Sequence, residues 1–358
     1  LLHFTQPGDL VFDGFCGTGM TGVAAQLCGD RSSVEELGYK VDDSGIVYSN
    51  ISSSEKTDWT PFSKLGQRFA VLNDLSPAAS FISYKHNASL DFKPLQENAR
   101  ANLERLETEC GWMYRTLHNP SDRTIAEAVS LIEQTPEADL LNIGATGSIN
   151  YVVWSDVFSC PECSDEIVFW RDAVDIPAGK IRDVFSCPHC NAELKKKSLE
   201  RRWDHKADSV TGEIVEQAKL VPVRVSYTFG GKRFEKEPDL ADIALIKAIE
   251  SSAASQWLPT NQLPDGFNMT QPKKSHGISR LHHFYTPRCA RLLANYRSGC
   301  INSDDIFILT RVASQLTLRY RFTYQSGTWG AGGGPMSGTL YIPSLIKELN
   351  PIGQLRRA

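Results

Sequence analysis

Two short motifs, Cys160-Pro161-Glu162-Cys163 and Cys187-Pro188-His189-Cys190, constrain this 358-residue chain more than any other feature of it. Each is a C-P-x-C knuckle, and residues 164–186 separate them, close to the spacing of a zinc ribbon. Strand-like runs, INYVVWSDVFS and KIRDVFS, precede the knuckles, and EIVFWRD follows the first. The pattern predicts two hairpins that clamp one Zn2+ tetrahedrally between Cys160, Cys163, Cys187 and Cys190. With four thiolates bound, no coordination position is left open and the metal is structural. Disulfides are the competing reading, which a cytoplasmic setting disfavours. A redox dithiol does not account for two matched knuckles. Cys16, Cys28, Cys110, Cys289 and Cys300 are scattered and read as buried or free thiols.

The 41% hydrophobic and 22% charged content is that of an ordinary soluble protein. No run approaches the ~18 apolar residues of a membrane span, and no signal peptide is visible, so a cytoplasmic location without membrane contact is expected. The length suffices for about two domains. A net charge of −4 gives no global basic signal, so any nucleic-acid contact must come from local patches. The chain begins LLHFTQ, without methionine, and is read as lacking an upstream segment.

VFDGFCGTGMTGVAAQ, residues 11–26, holds Gly17, Gly19 and Gly22 in the G-x-G-x-x-G spacing of a strand-to-helix turn. In a dinucleotide site that turn faces a pyrophosphate, which the helix N-terminus attracts. Asp13 at the strand end opposes such an anion. It suits S-adenosylmethionine, which has no phosphate and carries a sulfonium and an ammonium. The glycines are expected to let the backbone turn sharply and approach this ligand without a Cβ in the way.

Asp13-Gly14-Phe15-Cys16-Gly17-Thr18-Gly19 resembles motif I, D-x-F-x-G-x-G, of the amino-group DNA methyltransferases, which methylate adenine N6 or cytosine N4. RFAVLNDLSPAASFISY resembles the family's second motif: a strand over residues 69–72, then Asp74, then a helix opened by Ser76 as cap and Pro77 as first residue. The resemblance implies a partial α/β, Rossmann-like methyltransferase fold. It implies that S-adenosylmethionine is held by Asp13, Phe15, Cys16, Gly17, Gly19 and Asp74, with Asp74 on the ribose hydroxyls. The Cys16 thiol has no sequence-adjacent histidine and receives no chemistry of its own. Asp74 follows Gly19 at more than twice the usual ~20-residue spacing. The excess, polar residues 30–66, reads as an insertion on the sheet's edge, since long surface insertions cost little loop entropy.

The family's catalytic motif, Asp/Asn/Ser-Pro-Pro-aromatic, is absent. Leu75-Ser76-Pro77-Ala78 and Asn350-Pro351-Ile352-Gly353 come nearest and lack the second proline and the ring. The expectation is therefore a fragment of a DNA methyltransferase, adenine-specific rather than cytosine-specific, from a restriction-modification or phage-defence system with partner subunits. The alternatives are a non-catalytic zinc-ribbon nucleic-acid-binding protein with a degenerate Rossmann-like half, or a nicotinamide-dependent oxidoreductase.

The expected organisation is a cofactor-binding part over residues 1–92, a helical connector over 93–150, the four-cysteine zinc ribbon over 151–200, and a mixed α/β target-recognition region over 201–358. Residues 94–117 and 124–135 are patterned as helices. Residues 219–239 read as a hairpin around Gly230-Gly231. Helices follow over 239–252, from Thr286-Pro287 and over about 303–322. Lys195, Lys196, Lys197, Arg201 and Arg202 form a basic cluster that suits DNA phosphates, with a solvated face as the competing reading. His282 and His283 are assigned a structural or solvated role, and the glycine-rich residues 327–338 a mobile linker.

Overall fold

The chain divides into two units, Leu1–Leu95 and Gln96–Ala358, and a computed structural model describes residues 1–50, 58–135, 137, 140–252 and 255–358. It is mixed α/β, and among the described residues no helix is long and apolar enough to cross a membrane.

The first unit runs β1 (Leu10–Asp13), α1 (Met20–Leu27), α2 (Arg31–Glu36), β2 (Lys40–Val41), β3 (Ile46–Asn50), β4 (Trp59–Lys64), β5 (Phe69–Leu72), α3 (Pro77–Asn87) and the first turn of α4 (Phe92–Cys110), which from Gln96 on belongs to the second unit. β1 and β5 pair in parallel, with Leu10 opposite Phe69 and Asp13 opposite Leu72. A parallel pair needs a crossover, and residues 30–66 lie within it. Part of this expected polar insertion is an antiparallel sheet in the order β2-β3-β4; its residues 51–57 lie outside the described residues. Val34, Val41 and Val47 close a small core of their own with Leu2 and Cys28. Arg68, 1% exposed, binds the start of the chain to this sheet by donating to the carbonyls of Thr5 and Lys64. Parallel sheets are ordinarily covered on both faces. Here Leu10 and Phe12 of β1 and their register partners Phe69 and Val71 of β5 are exposed.

The second unit is built on one long strand, Thr146–Ser159, in a seven-stranded sheet. Its residues 151–155 pair antiparallel with Leu220–Phe229 on one edge and with Leu345–Leu349 on the other. Short strands Arg115–Leu117, Glu166–Val168 and Glu200–Arg201 pair antiparallel with its ends. Packing on both faces of the sheet buries eight consecutive residues, 151–158. The expected boundary between connector and ribbon at 150/151 falls inside this strand and is corrected: connector, ribbon and C-terminal region share one sheet and one core. That core gathers Leu106, Tyr114, Trp154, Phe169, Leu245 and Tyr296 among others.

Two helices stop earlier than their patterns suggest. α4 ends at Cys110; Gly111–Tyr114 is a 3-10 turn, and Arg115–Leu117 joins the sheet, so ladder pairing overrides helical periodicity there. Residues 136, 138 and 139 of the expected connector lie outside the described residues. The helix from Ser303 ends at Ala313, after which Leu318 N donates to Phe284 O at 2.7 Å. The hairpin turns at Gly230 and Gly231, both with positive φ, as a two-residue type I′ loop requires. Thr286 caps the helix Pro287–Ser298.

Candidate functional site

β1 delivers Asp13 and β5 delivers Asp74 to the same loop, residues 14–19. Cys16 N donates to Asn73 O at 2.9 Å and Gly17 N to Asp74 Oδ2 at 2.9 Å, so the ends of the two strands are tied together. Asp13 Oδ2 accepts from Thr21 Oγ1 at 2.6 Å and Oδ1 from Phe15 N at 3.2 Å. Asp74 Oδ1 accepts from Ser76 N at 2.9 Å. The N–H groups of Ser76 and then Gly17 hold the Asp74 carboxyl below its ordinary range, against a smaller opposing effect of burial. Both acids are therefore acceptors, half-buried, beside a loop whose Phe15 ring is 81% exposed.

The glycines divide between two tasks. Gly17 has φ +53°, and nothing lies within 4 Å of where a Cβ would stand, so it serves the turn and leaves an open approach. A Cβ on Gly19 or Gly22 would strike α3 instead, at Ser83 and Asn87. Both let α1 and α3 pack closely, and Gly19, at φ +80°, also serves the turn. The Cys16 thiol is buried, 3.5 Å from Ser83 Oγ. Gly22→Ala is expected to lower stability by about 1–3 kcal/mol through overpacking. Gly17→Ala should cost only the left-handed backbone, ~1 kcal/mol. Urea titration of both variants checks the contrast, and an unchanged midpoint for Gly22→Ala would refute the packing role.

The four predicted cysteines do converge, with all sulfurs within 4.8 Å of one another, close enough to hold one metal ion. Cys160 Sγ lies 3.8 Å from Cys190 Sγ, and Cys163 Sγ 3.8 Å from Cys187 Sγ, far beyond a ~2.05 Å disulfide bond. The knuckles are built alike. Cys160 N donates to Asp165 O, and Cys187 N to Ala192 O; Ser164 N donates to Cys160 O, and Asn191 N to Cys187 O. Ser164 and Asn191, each following the second cysteine, take φ +64° and +61°.

Two of the five basic residues, Lys196 and Arg201, are committed inward. Arg201 donates to the buried Asp156 at 3.1 Å, and Lys196 Nζ sits 4.3 Å from the Phe169 ring centroid, with burial lowering its pKa. Arg202 lies 3.7 Å from Glu166. Lys195, Lys197 and Arg202 are exposed, so three of the five expected phosphate contacts face solvent.

Asn350 and Ser76, in the sequences nearest to the absent catalytic motif, both act as helix caps: Asn350 Oδ1 accepts from Ile352 N and Ser76 Oγ from Ala79 N. The expected linker is corrected at its start, where Tyr324–Gln325 pairs with Thr328–Trp329 and Trp329 Nε1 donates to Ile176 O at 2.9 Å. His282 and His283 are not solvated; both are buried against Asp208. No family model, curated protein or solved structure matches the chain.

Proposed function

We propose that residues 1–95 bind S-adenosylmethionine and that the chain serves methylation of an exocyclic amino group of DNA. The observation that carries this reading is the pair of acceptor carboxylates, Asp13 and Asp74, at the carboxyl ends of adjacent parallel strands around an open, left-handed Gly17. Ligands of open α/β sheets bind at that end of the strands. Asp13 suits the ligand's positive charge, Asp74 retains lone pairs for ribose hydroxyls, and the exposed Phe15 offers a stacking face. When bound, the cofactor supplies an electrophilic methyl group. This chain's own residues bind and orient it. Lys195, Lys197 and Arg202 are the candidate DNA contacts.

Calorimetric titration with S-adenosylmethionine and with NAD tests the reading. Binding of the former alone is expected, weakened about tenfold or more by Asp74→Ala, the equivalent of ~1.4 kcal/mol; preference for NAD would overturn it. Residues 1–358 are expected to bind the donor without transferring its methyl group. The side chains of Ser76 and Asn350 are engaged as caps, and no proline-aromatic platform exists to orient a flipped base. Methyl transfer to mixed-sequence DNA from labelled donor should stay at background.

The four-cysteine cluster is assigned to structural zinc. Zn–S bonds of ~2.3 Å in a tetrahedron separate the sulfurs by about 3.8 Å, which agrees with both pairs given above.

A further inference from the structure

Asp208, His282 and His283 meet in the wall of a cavity of about 180 Å³ in the second unit. Asp208 follows the strand Trp203–Ala207, and its Oδ1 is held by the N–H groups of Val210 at 2.8 Å and Thr211 at 3.4 Å. That leaves Oδ2 for the histidines, which the 3-10 turn Leu281–Phe284 presents side by side. His282 Nε2 lies 2.8 Å and His283 Nε2 3.0 Å from this one oxygen. All three side chains are buried, and their ligand atoms lie within 4.8 Å of one another.

The far ring nitrogens decide what sits between them. His282 Nδ1 is 3.3 Å from Pro259 O. A carbonyl oxygen only accepts, so a proton on Nδ1 satisfies that contact, and a neutral ring in this tautomer turns a bare Nε2 toward Asp208. Two acceptors 2.8 Å apart need something positive between them. One proton on His282 would meet this need as a single buried imidazolium beside a neutral His283, whereas a divalent ion meets it with both rings neutral, their centroids 4.4 Å apart. One divalent ion relieves both contacts. A histidine whose second N–H rests on a backbone carbonyl is also the usual posture of a metal ligand; His283 Nδ1 has the Ser279 hydroxyl at 3.4 Å. Tetrahedral bonds of ~2.0–2.1 Å separate donors by about 3.3 Å, a few tenths of an ångström more than seen here, within reach of small ring rotations.

We propose that Asp208, His282 and His283 form a second metal centre, separate from the four cysteines, that takes a divalent transition-metal ion such as Zn2+ with a coordination position left open. Two histidines and a carboxylate are a ligand set that leaves room for water or a small anionic ligand. The adjoining cavity, with Lys206 and Glu250 in its wall, supplies the space.

The test uses the full chain, stripped of metal and titrated with Co2+, which reports its ligands spectroscopically. A first equivalent is expected to bring thiolate charge-transfer absorption, and a second to bind with d–d bands and no further charge transfer. After saturation with Zn2+ and dialysis, metal analysis should give about two ions per chain, and about one in Asp208→Ala and in His282→Ala. Asp208→Asn, which keeps the shape of the cluster, should weaken the second equivalent at least tenfold. Saturation of the parent at one equivalent, or two ions retained in folded Asp208→Ala, overturns the proposal. The parent titration decides even if a variant fails to fold.

Discussion

Cys187→Ser is expected to remove one zinc ion per chain and to lower stability by more than ~4 kcal/mol, the range that loss of a structural metal reaches. Cys187 is fully buried, and the knuckle's neighbours Phe185 and Leu194 are part of the main core with Ile167, Phe169 and Trp170. In small zinc units the binding energy is folding energy, ~10–16 kcal/mol in isolated finger peptides. The effect here should be smaller, because the first knuckle hangs from a strand that the sheet already holds. Residues 160–194 are expected to loosen first, with faster amide exchange and proteolysis there. Cys300→Ser is the control: its half-buried thiol donates to Tyr296 O, and the change should stay within ~1 kcal/mol. Metal analysis with denaturant titration reads both variants, and equal stability of parent and Cys187→Ser would refute a structural zinc.

The second large effect is expected at Glu348, in the wholly buried strand Leu345–Leu349. Arg288 donates to it through Nε at 2.6 Å and Nη2 at 3.0 Å, Tyr114 and Thr286 donate their hydroxyls at 2.8 Å, and Trp154 donates its indole N–H. A buried pair adds little over an apolar replacement, but removing one partner strands the other charge, at ~3–5 kcal/mol. Arg288→Met should therefore lose about that much. Arg288→Met combined with Glu348→Gln should lose less than the two single changes added, and strict additivity in a double-mutant cycle would refute the coupling. Burial raises the Glu348 pKa, but Arg288 and the other donors outweigh it and hold the carboxyl below 4.5, its ordinary value. A carboxyl whose folded pKa is depressed contributes stability above its unfolded pKa and loses it as pH falls through the folded one. Parent stability should fall below pH ~4.5, and the Glu348→Gln variant should show less of that slope.

What the sequence disclosed was local. Each knuckle announces itself through residues three apart, Ser76-Pro77 and Thr286-Pro287 through cap chemistry, and Gly230-Gly231 through a two-residue turn. Asp13, Gly17 and Asp74 were legible because a strand end and a turn fix where such residues go. The rest depended on partners distant in sequence. Gly19 and Gly22 answer to Ser83 and Asn87, and Arg201 to Asp156, so their tasks lie beyond any short window. Glu348 looks like a surface acid in IKELN until five donors from three other segments surround it. His282 and His283 gave no ligand spacing because their third member, Asp208, lies on a turn far upstream. The strands of residues 30–66 were hidden by polar composition, since a small three-stranded sheet buries only part of one face.

The long strand Thr146–Ser159 has a consequence for the order in which the molecule can form. The first unit closes β1 on β5 with Leu10 and Phe69 as partners, within its own 95 residues. The second unit cannot complete its central strand until Leu345–Leu349 has been synthesised, because one edge of residues 151–155 waits for it. On the ribosome that edge stays an unpaired template, built from Val152, Val153 and Trp154, while almost two hundred residues follow. Such long-range pairing makes folding slow and exposes chains to association before it is finished. Nascent chains stopped before Leu345 should therefore hold a folded first unit, protected from protease, and a second unit that depends on chaperones.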